Sequence, residues 1–159
     1  MITPKASIYR YGSTRQPHEG LRLGVARHVP RGIKREDWQP LGYFDQWLPL
    51  LAPTADLVAQ YQQKKITFAT FSKRYRSQMK SRDCQQIIDL LAAIALFLPI
   101  SLGCYCEDEH RCHRSLLQKL IVKQVQGKAK KFALLREHGR AEDILKYSSP
   151  VCFQSLEED

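Results

Sequence analysis

No apolar run in this chain approaches the about 20 residues that a membrane-crossing helix needs. The longest candidate, Ile87 to Ile100, is interrupted by Asp89 and Pro99. The opening residues, Met1 to Lys5, lack the apolar core of a secretory signal. Together these absences predict a cytoplasmic protein with no membrane partner. There is no internal repeat, which excludes a repeat array. Cysteine is scarce and odd in number: Cys84, Cys104, Cys106, Cys112 and Cys152. A fully paired disulfide framework is thereby excluded, and in a reducing compartment the pattern suggests thiols or metal ligands. Acidic residues are also few, 16 Asp+Glu against 25 Lys+Arg, for a formal charge of +9. That imbalance favours anionic partners, either an anionic small molecule or a nucleic acid.

What is present fits one folded domain. A chain of 159 residues buries a core without disulfides or metal, and 43% apolar with 26% charged residues is ordinary for a globular protein. Ala6 to Tyr11 has strand character. Leu21 to Arg27 alternates apolar and small or charged residues, as a strand does. A basic loop with Pro30 and Gly32 follows, and Tyr43 to Leu51 is predicted as a short helix limited by Pro49 and Pro53. Thr54 caps a helix bearing Leu57, Val58 and Tyr61. Thr67 caps another with Phe68, Phe71 and Tyr75. Asp83 and Gln86 suggest a capping box for a third helix, stopped by Pro99.

Ile100 to Cys106 reads as a central strand. After the loop Glu107 to Arg111 comes a helix with Leu116, Leu117, Leu120 and Ile121 on one face. Strand, loop and helix in this order make the unit of an α/β fold, here a small single domain with a mostly parallel central sheet flanked by helices. The expected domain is 1–127, with 128–159 a helical extension, broken at Gly139, and an acidic tail.

The residues with most chemical potential lie between Cys104 and Arg114. Ligands of open α/β sheets bind beyond the C-terminal strand ends, where Cys104 and Cys106 share one face. Cys112, His113 and Arg114 open the next helix, where free N–H groups and the helix dipole favour anions and lower a thiol pKa. Three readings stand. In the first, basic side chains hold a phosphate or carboxylate while a cysteine acts as nucleophile. No Arg follows Cys104 or Cys106 after five intervening residues, so a phosphatase loop is disfavoured. In the second, Cys104, Cys106, Cys112 and His113 bind zinc; otherwise no cofactor is expected. In the third, the cysteines are small buried hydrophobes, the preferred reading for Cys84 and Cys152.

Arg22, Arg27, His28, Arg31, Lys34 and Arg35 form a second basic group, in which Arg27 and Arg31 are placed to join Arg114 around one anion. A third group, Lys73, Arg74, Arg76, Lys80 and Arg82, is the wet face of a helix. With Lys123, Lys128, Lys130 and Lys131 it offers a surface for nucleic acid. Trp38 and Trp47 are expected as core or loop anchors.

Several of these segments, in this order, resemble a known family. They are Val25 to Gly32, Trp38, Trp47-Leu48-Pro49, Leu51 to Leu57, Phe71 to Tyr75, Leu102 to Cys106 and Cys112-His113-Arg114. Over about residues 6 to 125 the chain resembles the YeaO-like branch of the domain-of-unknown-function 488 family. The resemblance implies a small α/β fold and a shared site, without naming a reaction. It brings the Arg27/Arg31 turn and the Cys112-His113-Arg114 turn into one pocket, with Cys112, His113 and Cys106 as candidate catalytic groups and Arg27, Arg31 and Arg114 as anion ligands. Three positions depart from the family pattern. Ala26 stands where Asp is usual, Val29 where Trp is usual, and Cys106 where many members have Glu.

Overall fold

The computed structural model describes the backbone of residues 6–138 and the side chains of residues 6–131. Four strands form one all-parallel sheet: β1 (Ala6–Arg10), β2 (Leu21–Gly24), β3 (Gln46–Trp47) and β4 (Ile100–Cys104), in the spatial order β1-β4-β2-β3. Four α-helices accompany it: α1 (Ala55–Gln62), α2 (Phe68–Gln78), α3 (Arg82–Ile94) and α4 (His113–His138). The protein is a small α/β fold, as its strand–loop–helix pattern predicts.

β4 lies between β1 and β2, and all five of its residues are buried. Its register explains its composition. Ile8, Leu102 and Leu23 align across three strands and belong to the main core, with Leu116, Leu117 and Ile121 of α4 and Ile88 and Leu91 of α3. The neighbouring row is polar: Ser7, Ser101 and Arg22. The row on the other side of the apolar one is Tyr9, Gly103 and Gly24. At Gly103 the Tyr9 and Tyr11 rings occupy the space that a Cβ would need, which is why the central strand carries a glycine there. Phe44, Tyr43 and Trp38 complete an aromatic cluster with these tyrosines.

The helix starts follow their capping chemistry. Thr54 accepts from the Leu57 N–H and Thr67 from the Thr70 N–H, as expected. The third helix differs: Ser81, not Asp83, is its cap, accepting from the Cys84 N–H. Asp83 lies inside the first turn, where its charge suits the positive helix end. The predicted helix Tyr43 to Leu51 is instead strand β3 followed by a 3₁₀ turn, Pro49–Leu51. Here tertiary pairing overrides local propensity. The Leu48 N–H bonds the Gly24 carbonyl, and the Trp47 indole donates to the Ala26 carbonyl at 2.9 Å.

α4 runs without a break through Gly127, so residue 127 is no structural boundary within the described residues. Gly139 and the tail beyond it, including Cys152, lie outside the described residues. Among the described residues no helix is long and apolar enough to cross a membrane.

Candidate functional site

A cavity of about 350 Å³ opens beyond the C-terminal ends of β2 and β4. That volume lies within the range of small-ligand sites. The location is where an open parallel sheet offers a ligand crevice. The two strand ends turn out of the sheet here, bringing Ala26, Arg27 and His28 to one wall and Cys104, Tyr105 and Cys106 to another. α1 and α2 supply an apolar wall through Val58, Tyr61 and Phe71. Arg111, Cys112 and His113, at the turn into α4, complete it.

The three clustered cysteines converge. The Sγ atoms of Cys104, Cys106 and Cys112 all lie within 4.8 Å of one another, with Cys104 Sγ donating to Cys106 Sγ at 3.7 Å. Cys104 and Cys112 are buried and Cys106 is exposed. Without a cation between them, three sulfurs this close disfavour more than one charge, and the exposed Cys106 is the one pushed toward the thiolate. Hydrogen bonds from Cys104 and then Cys112, with the nearby Arg114 charge, hold the Cys106 thiol far below its ordinary value. The same sharing raises Cys104 and Cys112.

His113 is buried, and its Nε2 lies 2.8 Å from the Val25 carbonyl. A carbonyl only accepts, so Nε2 carries the proton, leaving the Nδ1 lone pair 3.8 Å from Cys112 Sγ. Burial pushes the imidazole pKa below its ordinary value, although the Val25 carbonyl pulls the other way. Tyr75 packs edge-on against the ring. The imidazole is thus a neutral, fixed group.

The arginines divide. Arg27 lines the cavity. Its Nε and Nη2 donate to the Pro53 carbonyl at 2.9 and 2.5 Å, and its Nη1 makes no hydrogen bond among the described residues. Arg114 is buried and is not on the cavity wall. Its Nη1 donates to the carbonyls of Cys104 at 3.3 Å and Cys106 at 2.9 Å, closing the turn behind the sulfurs. Arg114 Nε is the one buried side-chain nitrogen or oxygen without a partner among the described residues. Arg31 is exposed on the Pro30–Gly32 turn and does not line the cavity. Arg111, which does, makes a long 3.8 Å pair with Asp108 and is largely exposed.

Arg22 has another role entirely. It is fully buried, bonded to Glu19 at 2.6 Å and to the carbonyls of Ser13 and Gly42, and stacked over Tyr9. Trp38 and Trp47 are half-buried anchors whose indoles bond the carbonyls of Ile33 and Ala26. Cys84 is buried in the main core. Pro53, Gln62 and Tyr105 also line the cavity. Pro53 and Tyr105 lie in the Leu51-to-Leu57 and Leu102-to-Cys106 segments that carry the family resemblance, whereas Gln62 has no sequence signal. Two of the three departures from the family pattern, Ala26 and Cys106, face this cavity.

The model of the family DUF488-N3a, described as the active DUF488-N3 subclade, matches residues 6–125. No curated protein and no solved structure gives a significant match. With three quarters of its length matched, the chain belongs to this family.

Proposed function

We propose, from the chain's membership of the active DUF488-N3 subclade, that the cavity binds a small ligand joining an apolar, flat body to an anionic group. A nucleotide or a phosphorylated metabolite has that character. The observation that carries this reading is the meeting of a three-thiol cluster and two arginines, Arg27 and Arg111, around one largely apolar cavity. Tyr61, Phe71 and Val58 suit the ligand's body. Arg27, with Nη1 uncommitted, and the exposed Arg111 suit its charge. Cys106 and Cys112 would be the reactive groups facing the ligand. His113, buried against Val25, would be a positioning residue for Cys112. Arg114 would contribute through the turn it closes, and Arg31 drops out of the anion set. The subclade's description as active agrees with a reaction at the thiols.

Calorimetric titration of the reduced chain with a nucleoside monophosphate and with inorganic phosphate tests this. The nucleotide is expected to bind more tightly than phosphate. Arg27→Ala is expected to weaken it about 10- to 100-fold, the effect of losing one charged hydrogen bond of ~1.5–3 kcal/mol. Equal, immeasurably weak heats for both ligands would overturn the reading.

A second reading rests on its own observation. Lys73, Arg74, Arg76, Lys80 and Arg82 are all exposed, and none makes an ion pair among the described residues. Such a face suits a polyanion. Retention on a nucleic-acid column with steep salt dependence, lost on reversing these charges, would support it. Elution at low salt, unchanged by the reversal, would remove it.

A further inference from the structure

The thiol cluster has a property that binding an organic anion does not require. A tetrahedral ion with metal–sulfur distances of about 2.3 Å separates its sulfurs by about 3.8 Å. Cys104 and Cys106 Sγ lie 3.7 Å apart, and Cys112 Sγ is within 4.8 Å of both. We propose that Cys104, Cys106 and Cys112 together hold one zinc-class cation, with its fourth position open to the cavity.

Four features of the site support this. Two donors are rigidly placed, Cys104 as the last residue of the buried central strand and Cys112 immediately before α4, and Cys106 lies two residues past the strand on the turn between them. The turn between the first two is fixed from behind, because Arg114 bonds the carbonyls of both Cys104 and Cys106. Outer-shell bonds of that kind orient metal ligands. The charge is also balanced. Three thiolates around a divalent cation leave one net negative charge, and the buried Arg114 guanidinium stands beside them with its Nε unpartnered. Finally, the entry path is open, since Cys106 is exposed and the cavity adjoins all three sulfurs.

The donor set also selects the ion. It contains sulfur and no carboxylate, which disfavours magnesium and calcium and suits zinc and its neighbours. The acidic residues nearby, Glu107, Asp108 and Glu109, are exposed and face Arg10, Arg111 and His110. His113 is not a fourth ligand here, because it is not among the groups whose donor atoms meet. An ion with an open position facing Arg27 and Arg111 would place a Lewis acid at the anion end of the cavity proposed above. The inference rests on that reading's cavity and anion end, but makes the thiols ligands of the ion in place of free reactive groups; the sulfur geometry supports it independently.

The test uses the full chain, reduced and stripped with a chelator, with no anionic ligand present. Cobalt(II) alone is titrated in. One equivalent is expected to give a thiolate-to-cobalt charge-transfer band and intense tetrahedral ligand-field bands, both bleached by zinc(II). Cys106→Ser, at an exposed position, is expected to fold and to lose more than about 100-fold in affinity, beyond the loss of an outer-shell partner. Cys84→Ala, in the core on α3, keeps the spectrum. A folded, reduced chain without a charge-transfer band, or an unchanged affinity in Cys106→Ser, would overturn the proposal. Because no organic ligand is present, such a failure leaves the nucleotide titration to be judged separately.

Discussion

Two buried arginines, Arg22 on β2 and Arg114 in the first turn of α4, are held on different terms. Arg22, near the start of β2, is saturated: a buried carboxylate, two carbonyls and a tyrosine ring take up its guanidinium. Neither Arg22 nor Glu19 lines the cavity beyond β2 and β4. Arg114, past the end of β4, bonds two carbonyls through Nη1, keeps a buried Nε without a partner, and lies behind three thiols that line a cavity. A fully paired buried charge fixes a fold. A partly paired one beside reactive groups marks where the fold leaves electrostatic capacity for something else.

The comparison can be broken most easily at its structural half. Glu19→Ala leaves Arg22 buried without its countercharge, and a loss of about 3–5 kcal/mol in chemical-denaturation stability is expected. A loss under about 1 kcal/mol would mean that the carbonyls alone suffice. Arg114→Met removes two hydrogen bonds to the Cys104–Cys106 turn. An expected cost of about 1–3 kcal/mol, with a slower reaction of Cys106 toward alkylating reagents, would set it apart from Arg22. An unchanged Cys106 rate would deny Arg114 any part in the site.

Asp45 sharpens the same contrast through pH. Burial alone would raise its carboxyl, but hydrogen bonds from Arg15, the Arg22 N–H and Gln39 outweigh this and hold it below the ordinary 3.8. Its contribution is therefore present above pH 3.8 and is lost as the pH falls through the lower, folded-state value. Arg15 is 40% exposed, so the amount is about 1 kcal/mol or less. Asp45→Asn is expected to flatten the acid limb of a stability–pH curve. Smallest of all, Arg31→Ala should change stability by no more than about 0.5 kcal/mol and leave Cys106 reactivity alone.

Much of this was legible in the sequence, for physical reasons. Thr54 and Thr67 announce their helices because a cap is a local hydrogen bond. The central strand is announced by the apolar run from Ile100, because apolar continuity implies burial, although it ends at Cys104 and not at the expected Cys106. Cys106 meets Cys104 through the turn that follows, which strand alternation does not describe.

Other features depend on contacts across the fold. β3 is held by the end of β2 and by the Trp47 indole, which no window around Tyr43 reveals. Arg22 looks like its basic neighbours until Glu19, Gly42 and Tyr9 surround it. Arg27, Arg31 and Arg114 are equally basic in sequence, yet Pro53 and two β4-turn carbonyls decide which of them reaches the cavity. Cys106 is one of three clustered cysteines in sequence, and only the fold shows it as the exposed sulfur whose pKa its buried neighbours lower.

The proposed site pairs a reactive sulfur, Cys106, with anion-binding arginines. Its most direct test compares iodoacetate with iodoacetamide on the reduced, metal-stripped chain, with alkylation at Cys106 followed by mass spectrometry. The anionic reagent is expected to react faster at Cys106, reversing the order seen with a free thiol. Arg27→Ala is expected to restore the ordinary order, and inorganic phosphate to slow the reaction. A faster reaction with the neutral reagent, indifferent to phosphate and to Arg27, would contradict it.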